Sequence, residues 1–189
     1  MKQALIIVDI QKDFCPGGSL AVKEGDSVVE PSNRLVTYFE KKGLPIFFTR
    51  DWHTADHSSF MEQGGIWPPH CVAGTDGARF HETLHVPGQA VIISKAAERS
   101  ADAYSGFEGT DLADRLRSLR VRDLVVAGLA TDYCVKNTVL DALKEGFSVT
   151  VALDAIRAVN VNPGDGERAI EEMKKGGADC TSTEKILNR

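Results

Sequence analysis

Short apolar runs rich in β-branched residues recur along the chain, separated by longer amphipathic segments. The runs are ALIIVDI (4–10), LPIFFTRD (44–51), AVIISK (90–95), DLVVAGLA (123–130) and SVTVALD (148–154), with a weaker sixth at DCTST (179–183). They are nearly unbroken rather than alternating. That pattern predicts strands buried on both faces, and hence a parallel sheet. Between them, residues 27–43, 109–121, 130–146 and 162–177 read as helices. Gly43, Gly146 and Gly176 are stop signals, and Thr110 or Asp111 is a start signal for the second. The alternation predicts an α/β fold: three layers, α/β/α, around a mostly parallel, six-stranded, doubly wound sheet.

Residues 51–88 interrupt this rhythm. They hold no convincing strand and no long helix, but carry GG, WPPH, GTDG and VPG. A connection of that length in a compact domain is usually functional or disordered. All five histidines of the chain, His53, His57, His70, His81 and His85, fall in it, which points to function.

The chain of 189 residues suits one domain spanning 1–189 with a sizeable core, and 42% hydrophobic residues fit a globular fold. The net charge of -5 argues against a general electrostatic grip on nucleic acid or anionic membrane. The one basic cluster, Arg115 to Arg122, is interleaved with Leu116 and Leu119 and reads as the solvated face of a helix end. The N-terminal apolar run stops at Asp9, too short for a signal core or a membrane span. A cytoplasmic protein with a small-molecule partner is expected. Cys15, Cys71, Cys134 and Cys180 form no Cys-x-x-Cys pair, so a reduced compartment without disulfides is expected. A homo-oligomer is compatible with the sequence but not encoded legibly in it.

Open α/β sheets bind ligands beyond the carboxyl ends of their strands. Asp9 ends the first run, Asp51 the second and Lys95 the third, while GLATDYC (128–134) follows the fourth and opens a helix. Four successive strands thus send polar or reactive groups to one edge. Alone, Cys134 fits a buried structural cysteine, Asp9 a turn former and Lys95 a surface lysine. Together they fit a nucleophile near a helix N-terminus, which favours a thiolate, with a base and a cation beside it. Backbone N–H groups in GLATDYC could form an oxyanion hole, worth roughly 3 kcal/mol per donor. Asp51 and His53, one residue apart, share a side in extended backbone. His70 could complete a set of two imidazoles and a carboxylate, suited to zinc, iron or manganese with open positions. A salt-bridged pair is the alternative for Asp51 and His53.

The segments LIIVDIQKDFCPGGSLAV, TRDWHTADHSSF, WPPHCVAGTDGARF, KAAERSADAYSGF and GLATDYCVKNTVLDAL occur in this order. Nearly end to end, the chain resembles the nicotinamidase (pyrazinamidase) branch of the isochorismatase-like cysteine hydrolases. The Asp-x-His loop with WPPHCV marks that branch, since isochorismatases proper lack the metal site. The resemblance implies a triad of Asp9, Lys95 and Cys134, and one divalent metal on Asp51, His53 and His70, zinc foremost, with iron or manganese as alternatives. It implies a cis peptide between Leu129 and Ala130 and an oxyanion hole from the N–H groups of Ala130 and Cys134. It assigns Phe14 and Trp67 to the walls of a ring pocket, lined further by Tyr104 and Tyr133. His57 stays outside the ligand set. The implied reaction is hydrolysis of nicotinamide to nicotinate and ammonia in NAD salvage, with pyrazinamide also accepted. Alternatives are an amidase for carbamoyl or ureido substrates, vinyl-ether hydrolysis of isochorismate without need of Cys134, and a binding module that has kept the fold.

Overall fold

The computed structural model describes residues 2–189. Its sheet contains six strands: β1 (Lys2–Val8), β2 (Ile46–Asp51), β3 (Val91–Lys95), β4 (Val121–Leu129), β5 (Ser148–Arg157) and β6 (Asp179–Thr181). Their order is β3-β2-β1-β4-β5-β6, and every neighbouring pair is parallel. The order reverses direction between β1 and β4. That switch point opens a crevice outside the carboxyl ends of the strands.

The helices among the described residues are α1 (Val29–Lys41), α2 (Leu112–Ser118), α3 (Lys136–Lys144), α4 (Asp165–Lys175) and α5 (Thr183–Leu187). β1 shows why two layers of helix are needed. Leu5 and Ile7 join one core with Val29, Leu35, Val36, Phe39 and Ile186 from α1 and α5. Ala4, Ile6 and Val8 join a second core with Leu112, Leu116, Val139 and Met173 from α2, α3 and α4. Both faces of the strand are fully buried, as its unbroken apolar run requires. Each large aliphatic side chain buried this way contributes about 1.5–3 kcal/mol.

Three boundaries differ from the sequence expectation. The segment 109–121 is helical only over Leu112–Ser118. Arg120 adopts φ +58 and ends it, and Val121 already pairs with Lys2 in the sheet. The segment 130–146 opens as a π-helical turn, Thr131–Val135, before α3 begins. The short α5 has no clear apolar period, and is capped by the Ser182 side chain, which accepts from the Lys185 N–H. The expected long connection is present: between Asp51 and Val91 there is only one 3-10 turn, Met61–Gln63, and isolated bridges. No helix among the described residues is long and apolar enough to cross a membrane. All four cysteines are free thiols.

Candidate active site

Two strand ends turn sharply as they leave the sheet. β1 stops at Val8, and Asp9 takes the left-handed conformation (φ +49). β3 stops at Lys95, and Ala96 does the same (φ +49). Carboxylate and ammonium are thereby left at the crevice, not threaded on into the ladder. Gly128 lets β4 approach β1: a Cβ there would meet the Val8 carbonyl oxygen at 2.0 Å, and its φ of +121 excludes most other residues. Asp9 and the turn holding Cys134 lie just beyond that contact.

Lys95 is the centre of the cluster. It is buried, with its Nζ 3.0 Å from Asp9 Oδ2, 3.1 Å from the Ala103 carbonyl oxygen and 3.4 Å from Cys134 Sγ. It also pairs with Asp51 Oδ1. Burial lowers its pKa; Asp51 and Asp9, with Cys134, more than offset that and hold the ammonium well above its ordinary pKa. The two carboxylates are pushed apart. Burial raises the pKa of Asp9, against the pull of Lys95. In Asp51, burial is outweighed by Lys95 and His53, and the pKa falls. Asp9 Oδ1 accepts from the Thr49 hydroxyl at 2.6 Å, while Oδ2 has no hydrogen bond of its own beyond the ion pair.

Cys134 departs from the helix-N-terminus picture. It sits inside the π-helical turn, and burial drives its pKa well above that of a free thiol; Lys95 lowers it, and Asp9 and Asp51 raise it. Burial thus favours the thiol, whose Sγ lies within 4.8 Å of an Asp9 carboxylate oxygen.

Beside this cluster, Asp51, His53 and His70 bring one donor atom each to within 4.8 Å of one another. Asp51 Oδ2 is 3.6 Å from His53 Nε2 and 4.0 Å from His70 Nε2. Donors about 2.1 Å from a shared ion lie at most about 4.2 Å apart, so both spacings fit one. The tautomers fit as well. His53 Nδ1 faces the Ala96 carbonyl oxygen at 3.1 Å and His70 Nδ1 that of Pro68 at 2.8 Å. A carbonyl only accepts, so each Nδ1 carries the proton and each Nε2 presents a lone pair towards Asp51. His53 Nε2 is buried without a hydrogen-bond partner. Burial lowers the pKa of His70, keeping its ring neutral.

His57 has the opposite tautomer. Its Nδ1 accepts from the Ser59 N–H at 3.3 Å, so Nε2 carries the proton and faces the Ala101 carbonyl oxygen at 3.4 Å. Its ring centre is 4.2 Å from that of His53, yet it has no lone pair to offer. His81 and His85 lie elsewhere: Nδ1 of His81 meets the Thr83 hydroxyl, and Nε2 of His85 meets Glu40. The crowding of histidines between residues 51 and 88 thus marks a ligand set through two of them only, His53 and His70.

A pocket joins the two clusters. Phe14, Leu20, Trp67, Tyr104, Tyr133 and Val159 line it, together with Asp51, His70, Ala130 and Cys134, and one donor atom each from Asp9, Asp51 and Cys134 lies within 4.8 Å of the others. Trp67 Nε1 donates to the Tyr104 hydroxyl at 3.1 Å, and Tyr133 packs edge-on against Trp67 at 5.2 Å. Phe14 packs against His70 at 5.6 Å. The peptide between Leu129 and Ala130 is cis. A larger surface groove of about 710 Å³ runs along α1 past Tyr38 and Leu187, but it contains none of these groups.

Sequence reading places every one of its candidate residues in this crevice, but misses the groups that hold them. Gln11 grips the peptide of Asp51, and Asp13 accepts from the Cys71 N–H at 2.7 Å, fixing the chain beside His70. Thr49, Leu20 and Val159 are also missed. A polar residue two places after Asp9 is the only local sign of Gln11.

The isochorismatase domain model matches residues 3–185. The chain belongs to the isochorismatase family. Among its relatives, the nicotinamidase of Escherichia coli (strain K12) is 42% identical, over 93% of this chain and 92% of that protein. The pyrazinamidase of Pyrococcus horikoshii, solved in complex with zinc, superposes with a TM-score of 0.92 at 50% identity, over 96% of this chain and 99% of that one. A family member from L. infantum, solved in complex with nicotinate, gives 0.90 at 36% identity, over 97% and 93%.

Proposed function

We propose that this isochorismatase-family chain hydrolyses nicotinamide, and also pyrazinamide, to the acid and ammonia through a thioester on Cys134, in NAD salvage. One observation carries the reading. A single aromatic-walled pocket is lined both by Asp51 and His70 of a metal-ligand set and by Cys134 of a buried Cys–Asp–Lys cluster. Nicotinamide has a group for each, a ring nitrogen and a carboxamide. The relatives named for nicotinamide or pyrazinamide, and the neighbour holding nicotinate, support the same substrate class.

In the proposed reaction the Cys134 proton passes to Asp9 as Sγ attacks the amide carbon. The N–H groups of Ala130 and Cys134 receive the developing oxyanion. Asp9 gives the proton to the nitrogen as the C–N bond breaks, and ammonia leaves. Asp9 then takes a proton from water, whose oxygen attacks the thioester. The acid departs and the thiol is restored. The raised pKa of Asp9 suits a group that must be base and acid in turn. Lys95 keeps Asp9 oriented and offsets charge on sulfur as it forms. A divalent metal on Asp51, His53 and His70, zinc foremost, would supply a ligand position for the ring nitrogen. Trp67, Tyr104, Tyr133 and Phe14 hold the ring so that the amide meets Cys134, which is positioning rather than bond making.

The test is a substrate panel on the purified metal-loaded protein, with ammonia and acid both quantified. Nicotinamide and pyrazinamide are expected to turn over well above carbamoyl and ureido amides, and isochorismate not at all. Preference for an N-carbamoyl substrate would replace this reading with that of a carbamoyl amidase.

A further inference from the structure

Gln11 is fully buried, and its carboxamide makes three hydrogen bonds. Its Oε1 accepts from the Asp51 N–H at 2.8 Å. Its Nε2 donates to the Asp51 carbonyl oxygen at 2.8 Å and to that of Ala78 at 2.9 Å. The sheet explains why a side chain is needed there. Ladder pairing between β1 and β2 ends at Val8 and Thr49, because Asp9 turns out of the strand. On its other side Asp51 still pairs with Lys95 of β3. The peptide groups of Asp51 would therefore lack a partner on the β1 side. A carboxamide has the donor and acceptor of a peptide, and Gln11 completes the ladder that the backbone abandons. The Gln11 N–H donates to the Asp9 carbonyl oxygen at 2.8 Å, and its backbone bridges to Phe80. One residue thus ties together the turn of Asp9, the peptide of Asp51 and the segment following His70.

We infer that Gln11 is a positioning residue for Asp51, setting the direction in which its carboxylate meets the metal. The inference rests on the reading of Asp51, His53 and His70 as a metal site. The chemistry admits few substitutes. Glutamate would turn an acceptor towards two carbonyl oxygens, and methionine would fill the space while leaving three buried peptide groups short of a partner. Outer groups that orient metal ligands typically change affinity by about 10- to 100-fold when removed. A residue that merely satisfies buried peptides would lower the stability of the metal-free protein and leave the affinity of the folded protein for metal alone.

The experiment compares wild type, Gln11→Met, Gln11→Glu and Asp51→Ala. Zn2+ affinity is measured by competition with a chromogenic chelator, and the visible spectrum of the Co2+-loaded protein reports ligand geometry. Gln11→Met is expected to bind Zn2+ about 10- to 100-fold more weakly, with shifted Co2+ bands. Asp51→Ala is expected to lose the high-affinity site. Wild-type affinity and an unchanged Co2+ spectrum in Gln11→Met would overturn the inference, whatever its melting temperature. If Gln11→Met does not accumulate folded, Gln11→Glu is read by the same two measurements and the same criteria. Wild-type affinity in Asp51→Ala would remove the ligand role of Asp51 itself, and the inference with it.

Discussion

Lys95 is a fully buried cation. It is enclosed by Asp9, Asp51, Cys134 and a carbonyl oxygen, so the two carboxylates depend on it as much as it depends on them. Removing one member of a buried ion cluster leaves uncompensated charge, which costs about 3–5 kcal/mol. Lys95→Met is therefore expected to lose stability of that order in urea titrations as well as amidase activity. An unchanged unfolding midpoint would show that the cluster does not hold its charges as described. The histidines give a sharper contrast. His53 and His70 present lone pairs towards Asp51, while both ring nitrogens of His57 are occupied by Ser59 and Ala101. Metal analysis after gel filtration should find His53→Ala depleted and His57→Ala loaded like wild type. The reverse result would mean the tautomers are assigned the wrong way round. Such tautomers cannot be read from a sequence. His53 meets the Ala96 carbonyl through Nδ1 and His57 the Ala101 carbonyl through Nε2, and those partners lie 43 and 44 residues away.

Strand ends, more than loops, determine this site. β1, β2, β3 and the turn after β4 each contribute one chemical group, and Gly128 sets how closely β4 approaches β1. Gly128→Ala puts a Cβ against the Val8 backbone at a φ that alanine avoids. A loss of ~2–3 kcal/mol is expected from the strained conformation, with a fall in kcat because Asp9 and Cys134 flank the contact. Full activity and stability in that variant would mean the strands can separate without disturbing the site. This level of organisation is largely legible in the sequence. Apolar runs end in Asp9, Asp51 and Lys95, and a parallel sheet sends all of them to one edge. What escapes local reading is what supports them. Gln11 and Asp13 look like ordinary polar residues after a strand, and their partners lie 40 to 67 residues away. The π-helical turn at Cys134 is equally hidden, since its sequence continues smoothly into α3. A helix-start reading favours a thiolate at Cys134, whereas burial pushes its pKa up.

The whole molecule places this crevice at the switch point of its sheet, between β1 and β4, with helices covering both faces and the 51–91 connection forming one wall. In the proposed reading, ring recognition belongs to the metal-ligand set and bond breaking to Cys134, which makes them separable by experiment. Chelation is expected to weaken nicotinate binding and lower the melting temperature, and added Zn2+ to restore both, because a ligand bound only by the folded state stabilises it. Identical nicotinate affinity with and without metal would detach the metal from ring binding. Asp51 joins the two groups, as it faces His53 and His70 through one oxygen and Lys95 through the other. The central claim is that Cys134 performs the chemistry in this crevice. Its most direct test is ammonia release from nicotinamide by wild type and Cys134→Ala, both confirmed to be folded and metal-loaded. Wild type is expected to release ammonia and nicotinate in equal amounts, and Cys134→Ala to fall to background while still binding nicotinamide. Turnover by Cys134→Ala at the wild-type rate would contradict it.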